Sequence, residues 1–293
     1  MTPMTLLQSI ILGIIAGITD FLPVSLSGHI TLFSNIMGAA GSVDMMFIIY
    51  LHIGTLISII IVYFKPISRA FGEFLGIFGD MIVNAKVMFA GPKRGEEKRY
   101  RRISRNRYRK LCLLVLAALV PTVVIGVFAM RLSEGLIGNL LGSGIGLLIT
   151  ALLMLVASFS GQLYKGPQEA RVFDGVIIGA FQGFSAIPGI SRFGMTVSSS
   201  YLSAFSVKLT LLFSFLLAIP TVLGSFFYEG ITKKTFVPAA GMTSALIAMA
   251  AAAVVGYFVL SAVKKAASAR NSRYFSAYCC AIGLVSVILY YVL

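Results

Sequence analysis

The sequence predicts an all-α integral membrane protein of about six transmembrane helices plus two re-entrant helix-loop-helix pairs, arranged as an inverted-topology repeat. Three observations carry that expectation. Of the 293 residues, 58% are hydrophobic and only 12% charged, with mean hydropathy +0.94, more apolar side chain than a soluble fold of this length can cover. Apolar segments recur at the length that crosses a bilayer as helix. A pair of those segments is broken by polar residues, and the breaks repeat at a constant offset.

Taken in chain order, residues 5 to 40 are apolar but interrupted by Asp20, Pro23, Ser25, Ser27 and His29. Irregular polar backbone at membrane depth is tolerated only inside protein or along a cavity, so this stretch predicts a re-entrant pair. Residues 44 to 64 predict the first full span. Residues 70 to 90 carry Glu73, Asp80, Asn84 and Lys86 among apolar residues and predict an interfacial amphipathic helix. A basic connection follows over 93 to 110, holding Lys93, Arg94, Lys98, Arg99, Arg101, Arg102, Arg105, Arg107, Arg109 and Lys110. Spans are expected at 111 to 130 and 137 to 162. A second broken stretch, 173 to 204, is interrupted by Gln182, Pro188, Gly189, Ser191 and Arg192. The last spans are expected at 207 to 228, 238 to 262 and 274 to 292.

Positive-inside bias puts the 93 to 110 loop in the cytoplasm. Counting onward places Lys165 and Arg171, then Lys264, Lys265, Arg270 and Arg273, on the same side, with both termini outside. The first re-entrant pair then enters from outside and the second from inside. Shifting residues 13 to 30 by 166 positions aligns Gly13 with Gly179, Gly17 with Gly183, Thr19 with Ser185, Ser25 with Ser191 and Gly28 with Gly194. Small residues four apart let helices approach closely. The chain therefore reads as one membrane domain, 1–293, with a first repeat over 1–164 and a second over 165–293, and a binding site near the midplane between them. Val120-Pro121-Thr122-Val123 and Ile219-Pro220-Thr221-Val222 also recur, but in non-equivalent spans; each proline is expected to kink its helix.

The net charge of +14 sits between apolar segments, where it orients the chain and meets anionic lipid rather than nucleic acid. Cys112, Cys279 and Cys280 lie in apolar surroundings without metal-ligand spacing and read as packing. The first apolar stretch has no basic residue before it and no small-residue cleavage pattern, which argues against a cleaved signal peptide.

Charge inside a bilayer is costly, so Asp20, His29 and Arg192 are candidate functional groups. Arg192 follows Pro188-Gly189-Ile190-Ser191, a loop expected to open a helix. Unpaired amides, the positive dipole end and a guanidinium there would cradle phosphate. The alternative is that Arg192 pairs with Asp20 merely to join the halves. Ser25, Ser27 and His29 supply hydroxyls and an imidazole beside that anion. His52 lies in a continuous apolar span, where packing is at least as good an account as catalysis.

The segment Gly17-Ile18-Thr19-Asp20-Phe21-Leu22-Pro23-Val24-Ser25-Leu26-Ser27-Gly28-His29 resembles the glutamate-rich, PVSSxGH-type motif of the bacterial undecaprenyl-diphosphate phosphatases linked to bacitracin resistance. Gln182 through Pro188-Gly189-Ile190-Ser191-Arg192-Phe193-Gly194-Met195-Thr196 is similar to that family's PGxSRSGxT motif. Leu51-His52-Ile53-Gly54-Thr55 and the run from Phe215 to Pro220 extend the likeness along the chain. The resemblance implies a membrane phosphatase that releases the terminal phosphate of a polyprenyl diphosphate, recycling the lipid carrier of cell-wall synthesis. It implies catalytic roles for Asp20, Ser25, Ser27, His29 and Arg192, with Ser25 or a metal-bound water attacking and His29 moving the proton. Phosphate would be held by Gln182, Gly189, Ser191, Arg192, Gly194 and Thr196. Asp20 would hold a divalent cation, magnesium or calcium. The partners implied are the polyprenyl diphosphate and membrane lipids, with no nucleic acid; a homodimer is compatible with the sequence. The location implied is a bacterial inner membrane, the site facing outside.

This chain also departs from the motifs. Two glutamates four residues apart are the family pattern, where Ala16 and Asp20 stand here. Leu26 replaces a serine, and so does Phe193. The cradle is kept while cleaving groups are lost, so two readings stand: an active diphosphatase, or a catalytically impaired paralogue that binds or translocates a polyprenyl phosphate lipid.

Overall fold

The computed structural model describes residues 4–89, 100–266 and 268–292, without the side chains of 264–266. Lys93, Arg94, Lys98, Arg99 and the side chains of Lys264 and Lys265 lie outside what it describes. The described chain is helical throughout, its β structure limited to one isolated parallel bridge between Lys165 and Phe205. The helices are α1 (Leu6–Thr19), α2 (Leu26–Ile36), α3 (Met45–Val62), α4 (Phe64–Phe89), α5 (Arg107–Ser133), α6 (Leu140–Ser158), α7 (Val172–Gly183), α8 (Arg192–Leu202), α9 (Val207–Lys233), α10 (Met242–Ala266) and α11 (Ser272–Val292).

Most begin where the sequence offers a side-chain acceptor to the orphan amides of a first turn. Thr5 and Gln8 form a capping box on α1, and Asp44, Asn106, Asn139 and Ser206 cap α3, α5, α6 and α9. Six helices, α3, α5, α6, α9, α10 and α11, are long and apolar enough to cross a membrane, and they coincide with the six expected spans. The protein is thus an all-α, multi-pass membrane protein. The helices α1, α2, α7 and α8 are too short to span a bilayer, which needs about 20 residues. They form two helix-turn-helix pairs at the two broken stretches.

The offset glycines explain how these pairs are seated. α1 lies along α10 and α7 along α5. A Cβ on Gly13 or Gly17 would run into the carbonyls of Ala248 and Ala252; one on Gly179 or Gly183 would run into the Ala118 carbonyl and Ile125. Each pair therefore uses one small-residue face against one long helix, the packing that such spacing permits. The equivalence then breaks. α3 packs closely along α10, where Gly54 admits the Met249 carbonyl, whereas α9 touches α5 over a shorter stretch and a cavity opens between them. The recurring proline–threonine steps meet there. Pro121 and Pro220 lie inside α5 and α9, and Thr122, Pro220 and Thr221 all line the cavity. The Thr122 hydroxyl donates across to the Gly179 carbonyl at 2.9 Å.

The expected interfacial helix over 70 to 90 starts earlier, at Phe64. Its polar face clasps α5. Buried Arg109 donates from Nε to Glu73 at 2.8 Å and from Nη1 to Asp80, while Asn106 reaches Glu73 and Arg101 reaches Asp80. Hydrogen bonding from Arg109 is the main cause that holds the Glu73 and Asp80 carboxyls below the ordinary carboxylate range. The opposite face leaves Phe71, Leu75, Phe78, Met81 and Ile82 exposed, as a helix lying in a membrane interface does. Part of the basic cluster read only as a topology signal is therefore structural.

Candidate active site

The turns of the two short pairs meet. After α1 the chain turns through Asp20–Val24 into Ser25, whose backbone holds φ 69° and whose hydroxyl accepts from the Gly28 amide at 3.2 Å. After α7 it turns through Pro188 and Gly189 into Ser191, which accepts from the Gly194 amide at 2.9 Å and starts α8. Gly189 sits at φ 83°, and a Cβ there would overlap the Ser143 backbone carbonyl, so only glycine fits. Its amide donates to Ser27 Oγ at 3.0 Å, tying one turn to the other.

Arg192, the first residue of α8, reaches across this junction and donates from Nη2 to Asp20 Oδ2 at 2.8 Å. α3 supplies the remaining contacts. The Thr55 hydroxyl donates to the same oxygen, and His52 Nδ1 stands 3.2 Å from Asp20 Oδ1, in ion-pair range but off hydrogen-bond alignment. Asp20 is buried, while His52 keeps 20% of its side chain exposed. A cavity of about 240 Å³ begins at this cluster and extends between α5 and α9. Its polar wall includes Asp20, Ser27, His52, Gln182 and Arg192; Ile48, Ile49, Val123, Val127 and Met130 make much of the rest apolar. Three atoms of wall residues, Arg192 Nη1, Gln182 Oε1 and His52 Nδ1, are buried without a hydrogen-bond partner, the last of them facing Asp20. An unpaired buried polar atom costs free energy comparable to a lost hydrogen bond, so Arg192 Nη1 and Gln182 Oε1, which face no charged protein group, are the atoms a ligand would satisfy.

Of the residues expected from sequence, Asp20, Ser27, Gln182 and Arg192 line this cavity and the others do not. Ser25 is fully buried and occupied in capping. His29 is sealed away from the cavity. Its Nδ1 lies 2.7 Å from the Ser25 carbonyl, which can only accept, so Nδ1 carries the hydrogen and Nε2 accepts from the Tyr278 hydroxyl at 2.9 Å. Its ring stacks on Tyr278. His29 thus braces the strained Ser25 backbone. Ser191 Oγ is used on Gly194, the Gly189 amide on Ser27, and Thr196 Oγ donates to the Arg192 carbonyl at 3.1 Å. The expected amide cradle is largely satisfied within itself, and Arg192 is the group left to meet an anion.

His52 is the residue that sequence reasoning underweighted. The signal was present in the spacing of His52 and Thr55, three apart on one face of an otherwise apolar helix. What hid it was that their partner, Asp20, lies 35 positions from Thr55. Among the described residues no three of His, Cys, Asp and Glu gather as a metal site would need. Asp20 is a single carboxylate whose Oδ2 is taken by Arg192 and Thr55 and whose Oδ1 faces His52. A divalent cation does not fit that donor set, because hard cations seek several oxygen ligands and repel a guanidinium.

Comparison with known proteins bears on the whole chain. Residues 9–285 match the family described as bacitracin resistance protein BacA. The chain is 32% identical over 288 residues to an undecaprenyl-diphosphatase of Alkaliphilus metalliredigens, covering 97% of this chain and 98% of that protein. It is 29% identical to an undecaprenyl-diphosphatase of Desulforapulum autotrophicum, over 97% and 98% of the two chains. With one from Korarchaeum cryptofilum the identity is 28%, over 96% and 98%.

Proposed function

From the premise that this chain belongs to the bacitracin resistance protein BacA family, we propose that it is a membrane phosphatase releasing the terminal phosphate of undecaprenyl diphosphate. One observation carries the reading: Arg192, a cation on the cavity wall, keeps its Nη1 without a hydrogen-bond partner, and the wall turns apolar from there along α3 and α5. The diphosphate meets Arg192 and Gln182, and the prenyl chain leaves along the gap between α5 and α9. Guanidinium donors held before the reaction stabilise the charge that gathers on phosphoryl oxygens in the transition state. Of the two serines in the first turn, Ser27 is the one that lines the cavity, and the Gly189 amide fixes its oxygen. In this reading Ser27 Oγ bonds to the terminal phosphorus, the bridging P–O bond breaks, and the lipid monophosphate leaves. The Ser27 proton passes to His52, oriented by Asp20, and water then releases phosphate from the serine.

Purified protein given undecaprenyl diphosphate is expected to release inorganic phosphate. His52→Gln should lower the rate of release by about 10²-fold or more without lowering the melting temperature. His29→Gln should instead lower thermal stability. Release by His52→Gln at the native rate would refute this assignment; no release from the native chain would favour binding without turnover.

The membrane is proposed to be a bacterial inner membrane with the cavity opening outward and residues 100–110 in the cytoplasm, on the strength of Arg101, Arg102, Arg105 and Arg107. With Cys280→Ser removing the exposed native thiol, Arg101→Cys should react with an impermeant maleimide in inverted vesicles and not in intact cells. Reaction in intact cells would reverse the orientation.

A further inference from the structure

We infer that this chain holds the diphosphate headgroup without a divalent cation, the Arg192 guanidinium standing where the family resemblance implies a metal. The inference rests on the reading of the cavity as a diphosphate site and goes beyond it. Its basis is the accounting of oxygen atoms around Asp20. A carboxylate offers about four lone-pair directions. Oδ2 receives Arg192 Nη2 at 2.8 Å and the Thr55 hydroxyl, and Oδ1 faces His52 Nδ1 at 3.2 Å. Calcium takes about six to eight oxygens and magnesium demands a near-octahedral shell. Position 16, one helical turn before Asp20, is a fully buried alanine with no side-chain oxygen to give, and its carbonyl accepts from the Asp20 amide at 3.0 Å.

The other cavity oxygens are neutral and partly used. Ser27 Oγ accepts from the Gly189 amide, and Thr221 Oγ accepts from Gln182 Nε2 at 3.1 Å. A cation on the open side of Asp20 would also stand beside a fixed guanidinium, with no second carboxylate to offset it. Two of the unpartnered atoms complete the case from the ligand's side. Arg192 Nη1 is a charged donor, matched to an anionic phosphate oxygen. Gln182 Oε1 is an acceptor, matched to the hydroxyl of a protonated phosphate. Together they complement a phosphate directly, with no ion between.

The test is calorimetric binding of farnesyl diphosphate to the full-length protein in detergent, in EDTA and then with magnesium or calcium. Binding in EDTA is expected within about threefold of that with metal, and Arg192→Ala should weaken it about tenfold or more. Arg192→Lys keeps the charge beside Asp20 if the alanine variant fails to fold, and should weaken binding less than Arg192→Ala. Ala16→Glu should raise affinity only when metal is added, by restoring a second carboxylate. Binding by the native chain only in the presence of metal overturns the inference, and so does no binding in either condition. Binding in EDTA with no phosphate released from undecaprenyl diphosphate leaves it standing and refutes the phosphatase reading instead.

Discussion

Replacing Arg192 by alanine is expected to lower the rate of phosphate release from undecaprenyl diphosphate by about 10²- to 10³-fold, the usual cost of losing one preorganised donor to a transition-state oxyanion. The same substitution should destabilise the fold. Asp20 has 3% of its side chain exposed and takes a 2.8 Å hydrogen bond from Arg192; without it a buried carboxylate is left under-compensated, at about 3–5 kcal/mol. The two effects separate by a second change. Asp20→Asn added to Arg192→Ala removes the stranded charge and should recover much of the melting temperature, while release stays low. Thermal melts and phosphate assays on the native protein and the two variants check this. Native-level release from Arg192→Ala would remove Arg192 from the chemistry. Full stability with release lost would show that Asp20 does not depend on it.

Gly189→Val is expected to cost about 3 kcal/mol or more, because two independent penalties fall on one atom. A branched residue at φ 83° carries backbone strain of about 1–3 kcal/mol. The added carbons also enter the Ser143 carbonyl of α6, an overpacking cost of about 1–3 kcal/mol where nothing can retreat. The turn would shift, and with it the amide that holds Ser27, so phosphate release should fall together with stability. Gly79→Ala is the matched control. That glycine lies within α4 with nothing close to its missing Cβ, and alanine there should stabilise by up to about 1 kcal/mol. A melting temperature for Gly189→Val equal to the native one would mean that the turn is not locked against α6.

Much of the architecture was legible because a bilayer imposes a strong, one-dimensional rule. Segments either are long and apolar enough to cross or they are not, which is why the spans at 45–62, 107–133, 140–158, 207–233, 242–263 and 272–292 follow the expected ones closely. The end of α3 and the start of α4 were harder. Only Tyr63 separates the two helices, so hydropathy alone runs on across the junction. The paired glycines pointed to close helix contacts, although not to which long helix each would face.

The site was legible by half. Asp20, Ser27, Gln182 and Arg192 stood out as polar groups in apolar stretches, and all four reach the cavity. Ser25 and His29 stood out by the same rule but are spent on the turn itself, since a positive-φ serine needs its cap and its carbonyl partner to persist. His52 had the weakest local signal, and its meaning came from Asp20 and Arg192, residues far from it in the chain.

By itself, then, the sequence determined the membrane class, the helix count, the broken pairs and the presence of an arginine that can meet phosphate, because each depends on composition within a short window. The tertiary structure decided which polar atoms remain free. That outcome depends on contacts between α3, the two turns and α8, which consume the amides and hydroxyls of both motifs and the oxygens of Asp20, and leave Arg192 Nη1 and Gln182 Oε1 among the unpaired atoms of the cavity-lining residues.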